Sequence, residues 1–266
     1  MSKSYVIISD TQMGYNPETK MYYEDRKAVA AVINFIKEYQ PDEVIHIGDV
    51  VDYPTPSRWN KGTASEFSDA VQRDSEHTVK NLIAPLREAY DGPIGMLEGN
   101  HDLRPREYLT QYAPALGWAA SQFSFENLLE FEKYEIRKLP EFYDFAPGWV
   151  ATHGHRGGIR INSTGAGGAT ALAGAKKMGK SVVMGHTHRL GVGSFSMGYN
   201  NQTTQLLTGF EVGNLMNMKA AGYLKGGAGN WLQGFGLVHV DGKHVQATPV
   251  PITGKKFIVE GQTFTV

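Results

Sequence analysis

The segment EVIHIGDVVD, residues 43–52, decides how the rest of the chain is read. A short run rich in β-branched residues breaks at Gly48 and delivers two carboxylates, Asp49 and Asp52, directly behind it. Such a run predicts a buried strand. Ligands gathered outside the carboxyl ends of parallel strands are what an open α/β sheet offers. The same pattern recurs in IISDTQ (7–12), MLEGNHD (96–102), VATHGH (150–155) and VVMGHTH (182–188). One such run is weak evidence. Five are strong, because unselected polar residues would not keep landing on strand ends.

Helices separate the first strands. Residues 24–39 carry apolar side chains at 29, 32, 33 and 36 and stop at Pro41. Residues 64–89 predict a long helix with Phe67, Val71, Val79, Leu82 and Leu86 inward and Pro85 near its end. Residues 10–23 read as loop. Strand, helix, strand, helix, strand is the βαβ arrangement of a layered α/β protein. Further on, 104–112 and, more weakly, 121–133 predict helix, while YEIRKLPEFYDF (134–145) predicts short antiparallel strands. Residues 165–178 are Ala-rich and predict helix despite their glycines. TTQLLTG, GFGLVHVDG and KHVQATPV read as strands, the last two joined as a hairpin through Asp-Gly. No stretch reads as a linker. The expectation is one domain over 1–266, elaborated at about 103–148, with a second sheet completed by the C-terminal region.

Bulk properties narrow the partners. The formal net charge is -1, and no basic tail advertises nucleic-acid binding, although a local groove stays open. Cysteine is absent, which excludes disulfides and thiolate metal sites. The N-terminal apolar run is too short for a signal peptide and no apolar stretch is long enough to span a bilayer, so no membrane association and a cytoplasmic location are expected. Oligomeric state is not legible.

The donors at the strand ends are chemically coherent. Asp10, Asp49, Asn100, His153, His186 and His188 offer oxygen and imidazole ligands, a mixture suited to Mn²⁺, Fe²⁺ or Zn²⁺ rather than Ca²⁺. With Gln12 there are seven, too many for one tetrahedral zinc. Two ions sharing a carboxylate, about 3.5–4 Å apart, fit better and can promote an in-line displacement at phosphorus.

In this order and spacing the blocks resemble the calcineurin-like metallophosphoesterases. Asp10-Thr11-Gln12, Gly48-Asp49-Val50-Val51-Asp52, Gly99-Asn100-His101-Asp102, His153 and Gly185-His186-Thr187-His188 follow that family's pattern, except that Gln12 stands where the family has histidine. The resemblance implies a four-layer αββα sandwich with two central mixed β-sheets and a dimetal site at the carboxyl ends of the strands. It implies a two-metal-dependent phosphate-ester hydrolase in which a metal-activated hydroxide attacks phosphorus. One ion would be held by Asp10, Gln12, Asp49 and His188, the other by Asp49, Asn100, His153 and His186. His101 would be the catalytic histidine, oriented by Asp102. The cofactors expected are two divalent ions, Mn²⁺ foremost, with Mg²⁺, Fe²⁺ and Zn²⁺ as alternatives. The substrate would be a phosphate ester, a nucleotide or nucleic acid included. A phosphodiesterase or nuclease is favoured by the long 103–148 region and the Gly-rich tail. A phosphomonoesterase, a protein phosphatase or a non-catalytic protein with a degenerate metal site are the alternatives.

Other readings compete at single positions. Asp10 and Asp49 could cap helices. Asp52 could support the loop rather than bind metal. His155 competes with His153 and otherwise reads, with Asn100 and Arg156, as a substrate contact. Arg104, Arg160 and Arg189 also follow the blocks closely, and a phosphate substrate wants fixed guanidinium donors. His46 reads as an ordinary strand residue. Tyr223 and Trp231 could stack on a base or simply fill the core.

Overall fold

The computed structural model describes residues 2–16, 19–56, 62, 66, 69–162, 165–220 and 229–266. In chain order it begins with β1 (Lys3–Ile8), the two-residue strands β2 (Tyr15–Asn16) and β3 (Met21–Tyr22), α1 (Arg26–Tyr39) and β4 (Glu43–His46). Then come α2 (Ala70–Thr78), α3 (Ala84–Ala89), β5 (Ile94–Met96), α4 (Arg104–Tyr112), a 3-10 segment (Pro114–Phe123) and α5 (Phe125–Leu128). The strands β6 (Ile136–Lys138), β7 (Tyr143–Ala146) and β8 (Trp149–Thr152) lead to α6 (Ala169–Met178) and β9 (Ser181–Met184). A long pair, β10 (Leu190–Tyr199) and β11 (Gln202–Val212), precedes the hairpins β12 (Gly234–Asp241) with β13 (His244–Pro251) and β14 (Lys256–Val259) with β15 (Gln262–Thr265).

Two mixed sheets form the centre. One has the order β13-β12-β1-β4-β5-β6 and the other β10-β11-β9-β8-β7. In the first, β1, β4, β5 and β6 run parallel, and β12 closes antiparallel on β1. In the second, β8, β9 and β11 are parallel, flanked by antiparallel β7 and β10. Period-two alternation assigns the faces. Tyr5 and Ile7 of β1 pack with Ala151 and Val183 between the sheets. Val6 and Ile8 turn outward to Val32, Phe35 and Leu86 of the helices. Val150, Val182 and Met184 face Ala171 and Ala175 of α6 on the far side. Helix, sheet, sheet, helix is the four-layer α/β sandwich expected. Each large aliphatic side chain buried in these layers contributes about 1.5–3 kcal/mol.

The helices begin and end for local reasons. Asp25 caps α1 by accepting the N–H groups of Lys27 (3.1 Å) and Ala28 (3.2 Å). Gln40 closes it in the left-handed region, and Pro41 follows. The second long helix starts at Ala70, and Phe67 lies outside the described residues. It widens into a π turn at Val79–Ile83 directly before Pro85. A proline ring clashes with the carbonyl four residues back in a regular helix, and the wider turn relieves that clash.

Three expectations need correction. Residues 10–23 are not all loop, since β2 and β3 pair there. The 134–145 strands do not pair with each other: β6 joins the first sheet in parallel and β7 joins the second. Alternation reports which face is buried, not which partner is chosen. The C-terminal expectation holds in part: TTQLLTG lies in β11, which with β10 completes the second sheet, whereas the hairpin β12–β13 extends the first sheet beside β1. No described helix is long and apolar enough to cross a membrane.

Candidate metal centre

The carboxyl ends of β1, β4 and β5 in one sheet and of β8 and β9 in the other open onto one rim, and all five polar blocks meet there. The loops are stitched together by their backbones: Asp10 N–H donates to Gly48 O (3.1 Å), Gln12 N–H to Asp49 O (3.1 Å) and Met13 N–H to Val50 O (2.8 Å). Asp10, Gln12, Asp49, His186 and His188 all have left-handed backbone, with φ of 49°, 51°, 52°, 66° and 59°. For residues with a Cβ this conformation is uncommon and strained by about 1–3 kcal/mol, and it persists where the surroundings over-determine it. The motif glycines have a matching cause. A Cβ on Gly99 would collide with the Asp49 backbone and carboxylate, and one on Gly185 with Ser9 Oγ and Asp10 Oδ2. Neither Asp10 nor Asp49 caps a helix.

Two donor groups share Asp49. Asp49, His153 and His186 bring ligand atoms within 4.8 Å of one another, and so do Asp10, Asp49 and His188. His153 Nδ1–H donates to Ile47 O (2.9 Å), so Nε2 carries the lone pair of the neutral ring. That nitrogen stands 3.1 Å from Asn100 Oδ1 and 3.3 Å from Asp49 Oδ1. Across the centre, His188 Nε2 stands 3.1 Å from Asp10 Oδ1. Asp10 Oδ2 accepts from Ser9 Oγ and from His186 N–H (2.9 Å).

Gln12 is fully buried, and its Nε2 donates to Asp49 Oδ2 (3.0 Å). Its Oε1, like Asp10 Oδ1 and His188 Nδ1, is buried without a hydrogen-bond partner among the described residues. Buried polar atoms ordinarily find partners. Lone pairs converging on shared space, with three orphaned atoms beside them, fit divalent cations on both sides of Asp49.

Electrostatics agree. Burial would push the Asp49 carboxyl up, but His153 and His101 outweigh it and hold it well below the usual carboxylate range. Burial lowers His153, yet Asp49 beside it wins and carries the ring to about 10. The ring's raised affinity for a proton lies where a cation would bind. Burial, aided by His153, drops His186 to about 4, leaving a neutral imidazole. Burial also takes His46 down to about 3. Neutral His46 accepts from Gly48 N–H at Nδ1 (3.3 Å) and meets Thr11 Oγ1 at Nε2 (3.1 Å), and Thr11 donates to Val50 O (2.8 Å). His46 thus fixes the residue between Asp10 and Gln12. Its position inside a strand concealed that support.

The surroundings of His101 require a correction. Asp102 does not orient it. The Asp102 oxygens take the backbone N–H groups of Gly99 (2.8 Å), Val51 (2.9 Å) and Val50 (3.2 Å), tying two loops together. Asp52 is the orienting carboxylate, with Oδ1 3.0 Å from His101 Nδ1 and its backbone oxygen also at 3.0 Å. Side chains of adjacent residues leave the backbone in different directions, so sequence adjacency misled. On the other ring nitrogen, Arg104 Nη2 donates to Nε2 (3.0 Å) while Nη1 is anchored on Asp52 O (2.8 Å). Arg104, not Arg156, is the arginine against His101.

His155 joins neither donor group, although its ring lies 5.3 Å from that of His153. Arg156 Nε donates to His155 Nε2 (3.1 Å) and stands 3.8 Å from Glu141. Arg189 is buried and donates to Asn162 O, and Arg160 is exposed. Trp231 packs on His188 with ring centroids 4.5 Å apart, at the mouth of the site rather than in a remote core. Tyr223 lies outside the described residues.

Residues 4–190 match the family model described as calcineurin-like phosphoesterase. Two relatives, each called "Gene 54 protein", come from Mycobacterium phages D29 and L5. They are 51% and 50% identical over 266 residues, covering 100% of both chains in each pair. A looser likeness, at 11% identity and a TM-score of 0.42, links 99% of this chain with 98% of a dimetal phosphatase from Danio rerio.

Proposed function

The chain belongs to the calcineurin-like phosphoesterase family, and from that premise we propose that it cleaves phosphodiesters, as a nuclease or nucleotide phosphodiesterase, with two divalent ions of which Mn²⁺ is the foremost candidate. Metal-dependent hydrolysis of phosphate esters is the activity of the family. The observation that carries the assignment to this rim is the pair of donor groups sharing Asp49.

Asp10, Gln12, Asp49 and His188 would hold one ion, and Asp49, Asn100, His153 and His186 the other. When bound, such ions activate water and neutralise charge on the phosphoryl oxygens. The protein does the rest. Asp52 fixes the His101 ring through Nδ1, and Arg104 Nη2 covers Nε2. An arriving phosphoryl group is a stronger acceptor than an imidazole nitrogen, so it would draw the Arg104 guanidinium away. The freed Nε2, on a ring that, against burial, Asp49 and Asp52 favour in its charged form, would then take a proton from solvent and pass it to the leaving oxygen. Asn100, whose Oδ1 stands 3.1 Å from His153 Nε2, would be a further substrate contact.

Support for a diester comes from the room beside the centre, where residues of the 103–148 region wall a second cleft. The test compares bis(p-nitrophenyl) phosphate with p-nitrophenyl phosphate, using protein loaded with Mn²⁺. Faster cleavage of the diester is expected. Faster cleavage of the monoester would sink the diester reading, and no turnover with metal bound would favour a binding protein.

A further inference from the structure

A cleft of about 490 Å³ borders the metal centre, walled by Glu98, Arg106, Lys138, Glu141 and Arg156 over an apolar floor that includes Leu103. It adjoins the site through His155: Arg156 Nε donates to His155 Nε2 (3.1 Å), and the His155 ring lies 5.3 Å from that of His153 and 6.4 Å from that of His186. Glu141 closes the contact at 3.9 Å from His155 Nδ1.

The charges in this cleft are layered. Glu98 is 13% exposed and pairs with Arg106 (3.2 Å) and Lys138 (3.0 Å), which are 34% and 30% exposed. Glu141 is 26% exposed and lies 3.8 Å from Arg156, which is 52% exposed. The carboxylates therefore sit below and the cations above. Lys138 is also shared with Glu126 (2.7 Å), so the two arginines make most of the cationic surface. Guanidinium groups braced from beneath by carboxylates are pre-organised donors for a planar or tetrahedral oxyanion. The metal centre already accounts for the scissile phosphate.

We infer that this cleft is a subsite for a second phosphate of the same substrate, joined to the scissile phosphate by a short linker. The inference rests on the phosphate-ester reading of the centre and narrows it to polyanionic substrates. A nucleic-acid chain and a nucleoside polyphosphate both carry such a group. They differ in whether a nucleoside separates the two phosphates.

The test titrates Mn²⁺-loaded protein calorimetrically with thymidine 5′-phosphate, thymidine 5′-diphosphate and thymidine 3′,5′-bisphosphate. Released inorganic phosphate is measured in the same samples. The second phosphate should tighten binding by about tenfold for at least one of the two-phosphate ligands, one or two charge-assisted contacts being worth that much. Tightening by the 3′,5′-bisphosphate marks a nucleic-acid chain, and by the diphosphate a polyphosphate. In Arg106→Gln and Arg156→Gln the ratio of two-phosphate to one-phosphate affinity should fall towards one. Because each variant is its own reference, a general loss of binding does not imitate this result. A ratio near one in the unaltered protein, or a ratio untouched by both substitutions, overturns the subsite. Rapid phosphate release from the monoesters would instead count against the diester reading and leaves the affinity ratios to judge the cleft.

Discussion

The two halves of the metal centre share Asp49 and differ in almost everything else. On the His153 side the His153 ring is engaged at both nitrogens: Nδ1 is locked on Ile47 O, and Nε2 faces Asn100 and Asp49. On the Gln12 side, Gln12 Oε1, Asp10 Oδ1 and His188 Nδ1 are buried without hydrogen-bond partners among the described residues. One half is held by its own hydrogen bonds. The other presents buried donor atoms with no such bonds among the described residues, and it includes the neutral amide of Gln12. An amide oxygen is the harder and weaker donor, so the Gln12 half should bind its ion more loosely and lean towards Mn²⁺ or Mg²⁺.

The largest effect tests what the halves share. Asp49→Ala should empty both positions and lower kcat/KM on bis(p-nitrophenyl) phosphate by about 10³ or more, an energy of roughly 4 kcal/mol. Retention of one tightly held ion, by elemental analysis, would break the bridging role.

Next come the two carboxylates near His101. Asp52→Asn should cut kcat by about 10–100-fold at nearly unchanged Tm, because only the orientation of a ring is lost. Asp102→Asn should instead destabilise the fold by about 1–3 kcal/mol, because an amide N–H would face backbone N–H donors. Thermal melts and steady-state rates on the same preparations separate the pair. Equal effects of the two would remove the distinction drawn between them.

Gln12→His addresses the asymmetry directly. It should tighten the weaker metal step by about tenfold and shift preference towards Zn²⁺, read by competition titration. No change in either quantity would mean that Gln12 is not a ligand.

The proton on His153 gives a further contrast. Its pKa is raised to about 10, so at neutral pH the metal-free ring is protonated and binding must expel that proton. Affinity at the His153 half should therefore rise with pH, about tenfold per unit below the folded pKa. Calorimetry in two buffers of different ionisation enthalpy should report about one proton released. The Gln12 amide has none to release.

The last contrast lies just outside the centre. Asp74 is buried against Gly14, two residues from Gln12, and burial raises it to about 6 despite Arg73. A raised carboxyl binds its proton more tightly when folded. Its contribution is complete below the unfolded value near 3.8 and fades as pH rises through 6. Asp74→Asn should thus stabilise the protein by about 1–3 kcal/mol at pH 7.5 and leave it unchanged near pH 3. Denaturant melts at the two pH values check this.

Much of this was legible in the sequence. Buried strands are apolar whatever they pair with, and ligands must be polar, so a run that switches abruptly from one to the other is visible without a structure. That contrast located the five strand ends, from Asp10 to His188, and the helices whose 3.6-residue period faces a core. Pairing between segments is carried by backbone groups common to all residues. The separate destinations of β6 and β7, and the place of the β12–β13 hairpin beside β1, therefore appeared only in three dimensions. Side-chain direction is decided the same way. The composition of the blocks could say that a carboxylate stands near His101, but only the folded backbone, by pointing Asp52 at the ring and Asp102 at the loops, could say which.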